Sequence, residues 1–142
     1  MTNKEELKEF MLKEIIIIQD IIKRMASNSF MIKGWTISLV VVSLLLRGSK
    51  NQVLIAFIPI IFFWFLDAYF LLQERLYRKL YNWVIKNRME SEDYLFDLNV
   101  DRFKDKKQSK FKIMFKIIFS KTIVCFYGSI FITTLLYLFL IS

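Results

Sequence analysis

The chain has 142 residues, is 56% hydrophobic yet 24% charged, and carries a formal net charge of +8. A soluble domain usually runs about 45–50% apolar, so an ordinary globule is excluded, and fifteen Phe, six Tyr and three Trp against three Gly and one Pro exclude disorder. One Cys excludes an intrachain disulfide framework, and the absence of His removes the commonest general base and the commonest transition-metal ligand.

Residues 3–26 carry an amphipathic helical pattern. Leu7, Met11, Ile15, Ile18, Ile22 and Met25 recur at steps of 4, 4, 3, 4 and 3, the spacing of one helix face. Three placements compete for that face: the membrane interface, the cytoplasmic end of the second span, or a seam with further copies. Its polar face has mixed charge, which suits anionic lipid poorly and favours packing within an assembly. Ser27-Asn28-Ser29 predicts a break or kink, with N-cap chemistry for the helix that follows.

Three apolar runs come next. Residues 29–46 make the first if Lys33 snorkels, 53–72 the second with Asp67 as its single charge, and 122–141 the third with no charge. A bilayer-crossing helix needs about 20 largely apolar residues, so the expected fold is all-α, with three transmembrane helices. Buried helices of a soluble domain are the alternative, but so short a chain has no amphipathic partners left to cover three of them. Gly48-Ser49 predicts a helix C-cap in the short turn between the first two spans. Pro59 predicts a kink in the second span. Leu72, Leu76, Leu80, Trp83 and Val84 keep helical spacing, which extends that helix to about residue 88.

Residues 89–110 have no clear period and read as a loop. Within it Asp93, Asp97 and Asp101 fall at i, i+4 and i+8, a helix-face spacing that in a loop normally means solvated charge. Residues 111–121 predict a basic interfacial helix leading into the third span. Lys and Arg set orientation: thirteen lie in residues 73–121, six in 1–33 and two in 47–52. The N-terminus and the middle segment are therefore expected inside, and the C-terminus outside.

Asp67 is the foremost candidate for function, because a carboxylate within a span is costly and marks a functional site by default. Counting from the outer turn, Lys33 and Asp67 fall at nearly equal depth in an antiparallel hairpin, which predicts an ion pair. Such a pair fixes hairpin register, and it becomes a gate if it breaks on opening. Glu74, Arg75 and Arg78 lie one to two turns below it, as a snorkelling collar at the headgroups or a salt-bridge ring at a pore mouth.

Thr122, Cys125, Ser129 and Thr133 form a small polar stripe on the third span, suited to close helix packing or to wetting a pore. Thr36, Val40 and Ser43 make a weaker one on the first. The basic run of Lys104, Lys106, Lys107, Lys110, Lys112, Lys116 and Lys121 faces lipid, or a nucleotide or nucleic-acid signal. There is no phosphate loop, nucleophilic triad or metal-ligand spacing. No enzymatic activity, cofactor or small-molecule substrate is expected.

Several blocks carry a family resemblance: Asn28-Ser29-Phe30-Met31-Ile32-Lys33-Gly34-Trp35, Pro59 with Phe63-Trp64-Phe65-Leu66-Asp67-Ala68-Tyr69, and Gln73-Glu74-Arg75-Leu76-Tyr77-Arg78-Lys79-Leu80-Tyr81. Ser120-Lys121-Thr122 and Phe126-Tyr127 extend it toward the C-terminus. The chain resembles a family of small multi-pass proteins of the bacterial inner membrane, similar to the membrane channel effectors of Hailong-type anti-phage defence systems. The resemblance implies a homo-oligomer with a cytosolic defence partner, which arrests or kills the infected cell. The expected function is thus an oligomeric channel or pore, gated from the cytoplasmic side. The rival expectation is a non-conducting membrane scaffold that anchors a cytosolic partner.

Overall fold

The computed structural model describes residues 4–45, 50–104 and 110–141. The elements in chain order are α1 (Lys4–Leu45), α2 (Lys50–Ile55), α3 (Phe57–Asn87), a 3₁₀ turn (Asp101–Phe103), α4 (Lys110–Ile118) and α5 (Lys121–Ile141). Among the described residues there is no strand. Three stretches are long and apolar enough to cross a membrane: Lys4–Leu45, Val53–Asn87 and Lys121–Leu140. The protein is an all-helical, multi-pass membrane protein.

α1 differs from expectation. It runs for 42 residues straight through Ser27-Asn28-Ser29. The capping side chains find other work: Ser29 donates to Asp67 on the neighbouring helix. Tertiary contact along the whole length of α1 outweighs a weak local stop signal. At 1.5 Å per residue the helix is about 60 Å long, roughly twice the hydrocarbon thickness of about 30 Å. The Gly48-Ser49 turn lies outside the described residues.

α2 and α3 are parted at a single residue, Ala56, whose amide closes a tighter turn onto the Val53 carbonyl at 3.1 Å. Pro59 explains the interruption: its ring cannot donate to the Ile55 carbonyl and crowds it. α3 then continues unbroken to Asn87.

α1 and α3 lie side by side as an antiparallel hairpin, and α3 also carries α4 and α5. Two apolar cores result. One joins Val40, Ile60, Ala68, Ile117, Ile123 and Tyr127 at the level of the apolar runs. The other joins Ile18, Leu76, Leu80, Val84 and Val100 at the charged end. The amphipathic face of α1 is therefore covered by the end of α3 within the same chain, the second of the three expected placements.

Residues 88–104 fold back over that charged end. Asp93, Asp97 and Asp101 do not share a helix face. Tyr94 and Phe96 between them have φ of 57° and 55°, a left-handed conformation uncommon for non-glycine residues and impossible in a right-handed helix. Asp97 instead accepts the Asn99 amide at 2.9 Å. The basic helix ends at Ile118, and Lys121 opens α5. Phe119 and Ser120 form the joint, with Ser120 bonded back to Ile117 and Val124 to Ser120.

Candidate functional site

A polar cluster sits where the three long helices meet. Ser29 and Lys33 are one turn apart on α1, so both project toward α3. Lys33 Nζ lies 2.6 Å from Asp67 Oδ2 and donates to Ser29 Oγ at 2.7 Å. Ser29 Oγ in turn donates to Asp67 Oδ1 at 2.5 Å. Oδ1 thus accepts a hydrogen bond and Oδ2 meets the ammonium as an ion pair, and the Asp67 side chain is 0% exposed against 24% for Lys33. The lysine keeps a path to the surface, with its ammonium 5.8 Å from the Phe126 ring. One more turn along α1, buried Thr36 returns its hydroxyl to the Ile32 carbonyl at 2.8 Å. Tyr127 of α5 is fully buried beside Thr36 and Asp67, and its ring stacks on Trp64 at 5.7 Å. The Trp64 indole donates to the Ile118 carbonyl at 3.1 Å, which ties α4 to the same place. A carboxylate held this way sees two donors and an aromatic wall, and no bulk water.

The remaining expected residues are placed as follows. Glu74 and Arg78 pair along α3 itself, at 2.8 Å, and Arg75 is exposed. Thr122, Cys125, Ser129 and Thr133 all face outward on α5, while Ile123, Tyr127 and Thr134 face inward. Ser129 and Thr133 bond the Phe126 and Ser129 carbonyls of their own helix. Thr36 and Val40 are buried, and Ser43 bonds the Leu39 carbonyl. Lys112, Lys116 and Lys121 are exposed, and Lys104 pairs with Asp101. Lys106 and Lys107 lie outside the described residues, as does the Lys110 side chain.

A second buried ion pair has no counterpart among the expected residues. Glu14 of α1 and Arg88, just past α3, are 2% and 0% exposed. Arg88 donates to Glu14 through Nε at 2.6 Å and Nη2 at 2.9 Å. Its other hydrogens go to the carbonyls of Ser91, Asp93 and Tyr94. All five guanidinium donors are used. Glu14 also accepts the Phe96 amide at 2.7 Å, so the two left-handed residues supply one carbonyl and one amide to this pair.

Outside it, the Arg102 guanidinium lies 4.4 Å from the Tyr94 ring, 4.5 Å from Trp83 and 5.0 Å from Phe103. Its nitrogens have no hydrogen-bond partner among the described residues; ring faces take that place. A signal for the Glu14–Arg88 pair exists in the chain. Glu14 falls between Met11 and Ile18 at helical steps, and Arg88 continues Leu76, Leu80 and Val84 at steps of four. Both charges thus occupy positions on buried stripes.

Among the described residues no group of metal-ligating side chains is close enough to hold an ion. No protein-family model, curated protein or solved structure matches this chain.

Proposed function

We propose that the chain is a protomer of an oligomeric membrane channel, an effector opened from its cytoplasmic side. The observation that carries this reading is the outward face of α5. Thr122, Cys125, Ser129 and Thr133 are exposed there, on a helix that otherwise shows lipid-like residues such as Leu136, Phe139 and Leu140. Small hydroxyl residues on an outer face suit close contact with another helix or the wall of a wet path. Three helices of one protomer are too few to enclose such a path, so copies must assemble around it. The Ser29–Lys33–Asp67 cluster supplies the gate: a ligand or partner that separates α1 from α3 there exposes a carboxylate to water. The resemblance to bacterial anti-phage channel effectors supports the inner membrane as location and defence as role.

The test is membrane potential in bacteria on induction, together with ion flux from liposomes holding the purified chain. Wild type is expected to depolarise the membrane, with Asp67→Asn and Lys33→Gln changing the response at least severalfold and Ser129→Leu abolishing it. Liposomes that conduct under no partner or ligand condition would sink the proposal.

One observation favours a scaffold instead. The charged end is a folded cap, locked by Glu14–Arg88, rather than a loose collar. A scaffold would tolerate Ser129→Leu and lose function on surface changes to that cap.

A further inference from the structure

We infer that a groove between α3 and α4 is a binding site for one anionic phospholipid molecule. Two adjoining cavities, about 350 Å³ and 170 Å³, share Leu72, Lys104 and Ile113 and so form one groove. Their combined course along α3 runs from Tyr69 to Lys79, about 15 Å at the helix rise.

The two ends differ in chemistry. Toward the bilayer, Tyr69 and Met114 line the groove. Its floor farther down is Leu72, Leu76, Ile113 and Ile117. Arg75, Lys79 and Lys116 stand around the far end, and Lys104 lines both cavities. Leu72 is the last residue of the apolar run and Gln73 the first polar one. The groove therefore straddles the depth at which hydrocarbon gives way to headgroups.

Among the described residues three of these four cations, Arg75, Lys79 and Lys116, make no ion pair. Lys104 pairs with Asp101, and Lys79 reaches only the Phe103 carbonyl, at 3.4 Å. An apolar trough with an unneutralised cationic end, at this depth, is complementary to a lipid that has an acyl chain and a phosphate. Basic pockets between spans on the cytoplasmic side recognise such headgroups. A soluble phosphate ligand would use the cations and leave the apolar floor empty. A zwitterionic lipid would gain little from these unpaired positive charges. The site does not depend on conduction, so it stands or falls separately from the channel reading.

The experiment is native mass spectrometry of the full chain in detergent. It is titrated with a phosphatidylglycerol and with a phosphatidylcholine of the same acyl chains. The chain is expected to retain the first and release the second. Each cation near the surface is worth about 1 kcal/mol toward anionic lipid, or about fivefold. Arg75→Gln with Lys116→Gln is then expected to weaken phosphatidylglycerol binding about 25-fold, on the order of two such steps. Both residues are exposed, so the helical circular dichroism is expected to stay unchanged. Should the double variant misfold, either single variant is read at about fivefold. Lys8→Gln with Lys86→Gln removes the same charge from exposed positions away from the groove and is expected to leave binding intact. Equal retention of the two lipids overturns the inference, and so does equal weakening in the control. Displacement of the lipid by glycerol phosphate alone also overturns it, and assigns the cations to a soluble phosphate.

Discussion

Asp67 and Glu14 are both buried acids on helices, but their settings differ. Asp67 has a flexible lysine with a path to the surface, and one hydroxyl. Glu14 has a fully enclosed arginine, held bidentately, and a backbone amide. A lysine is a point charge on a mobile stem, whereas the planar guanidinium is bound along fixed directions. The first arrangement can part without breaking a lattice of bonds, which suits a gate. The second cannot. Removing one partner of a buried pair costs about 3–5 kcal/mol, because the other charge stays behind unpaired. Glu14→Ala is therefore expected to loosen residues 4–26 and 88–104 by that order. Amide hydrogen exchange should show it there, with residues 60–72 keeping their protection. Uniform loss over the whole chain would mean that the pair holds more than the cap.

At the level of elements, the continuity of α1 matters most. One rod joins the charged cap to the level of Asp67, so a displacement of the cap is transmitted to Lys33 and Ser29 without a hinge. Proline inside a helix removes a hydrogen bond and crowds the carbonyl four residues back, at a cost of about 3 kcal/mol. Asn28→Pro is expected to uncouple the two halves. In the variant, spin labels at Lys8 and Lys86 should keep their distance, and labels at Lys8 and Trp35 should show a broadened one. A sharp, unchanged Lys8–Trp35 distance would mean that contacts with α3, not the continuity of α1, couple the two halves. α3 shows the same physics natively. Pro59 parts it from α2 at Ala56 and leaves the stretch from Asp67 to Asn87 uninterrupted through both cores.

For the whole molecule, charge is distributed end to end. Thirteen of 21 Lys and Arg lie in residues 73–121, and the end of α3 within that segment packs on the first half of α1. That bias predicts the cap inside and the C-terminus outside. With Cys125 replaced by Ala, Ser142→Cys is expected to react with a membrane-impermeant maleimide on intact spheroplasts. Lys86→Cys should react only after permeabilisation, and the reverse pattern would invert the topology.

Much of this architecture was legible in the chain. The spans follow from apolar length, the face of residues 3–26 from helical spacing, and Pro59 marks its own interruption. The level of Lys33 with Asp67 followed from counting along an antiparallel hairpin, since rise per residue is constant. Glu14 and Arg88 were harder. Charged residues belong in water by default, so their positions on buried stripes carried less weight than their charge. The spacing Asp93–Asp97–Asp101 was correctly discounted, because a helix-like interval says nothing where the backbone is not helical.

The sequence by itself determined that three stretches are long and apolar enough to cross a bilayer, and where the basic residues lie between them. Those properties are sums over neighbouring residues, and bilayer thickness and hydropathy act on them locally. Only the tertiary structure decided that α1 passes through Ser27-Asn28-Ser29, that α5 turns Tyr127 inward and Ser129 outward, and that Arg88 closes on Glu14. Each depends on how one helix is rotated against another, or on a contact across 74 residues of chain. No local term sets that rotation. It comes from which cores and ion pairs can be satisfied together.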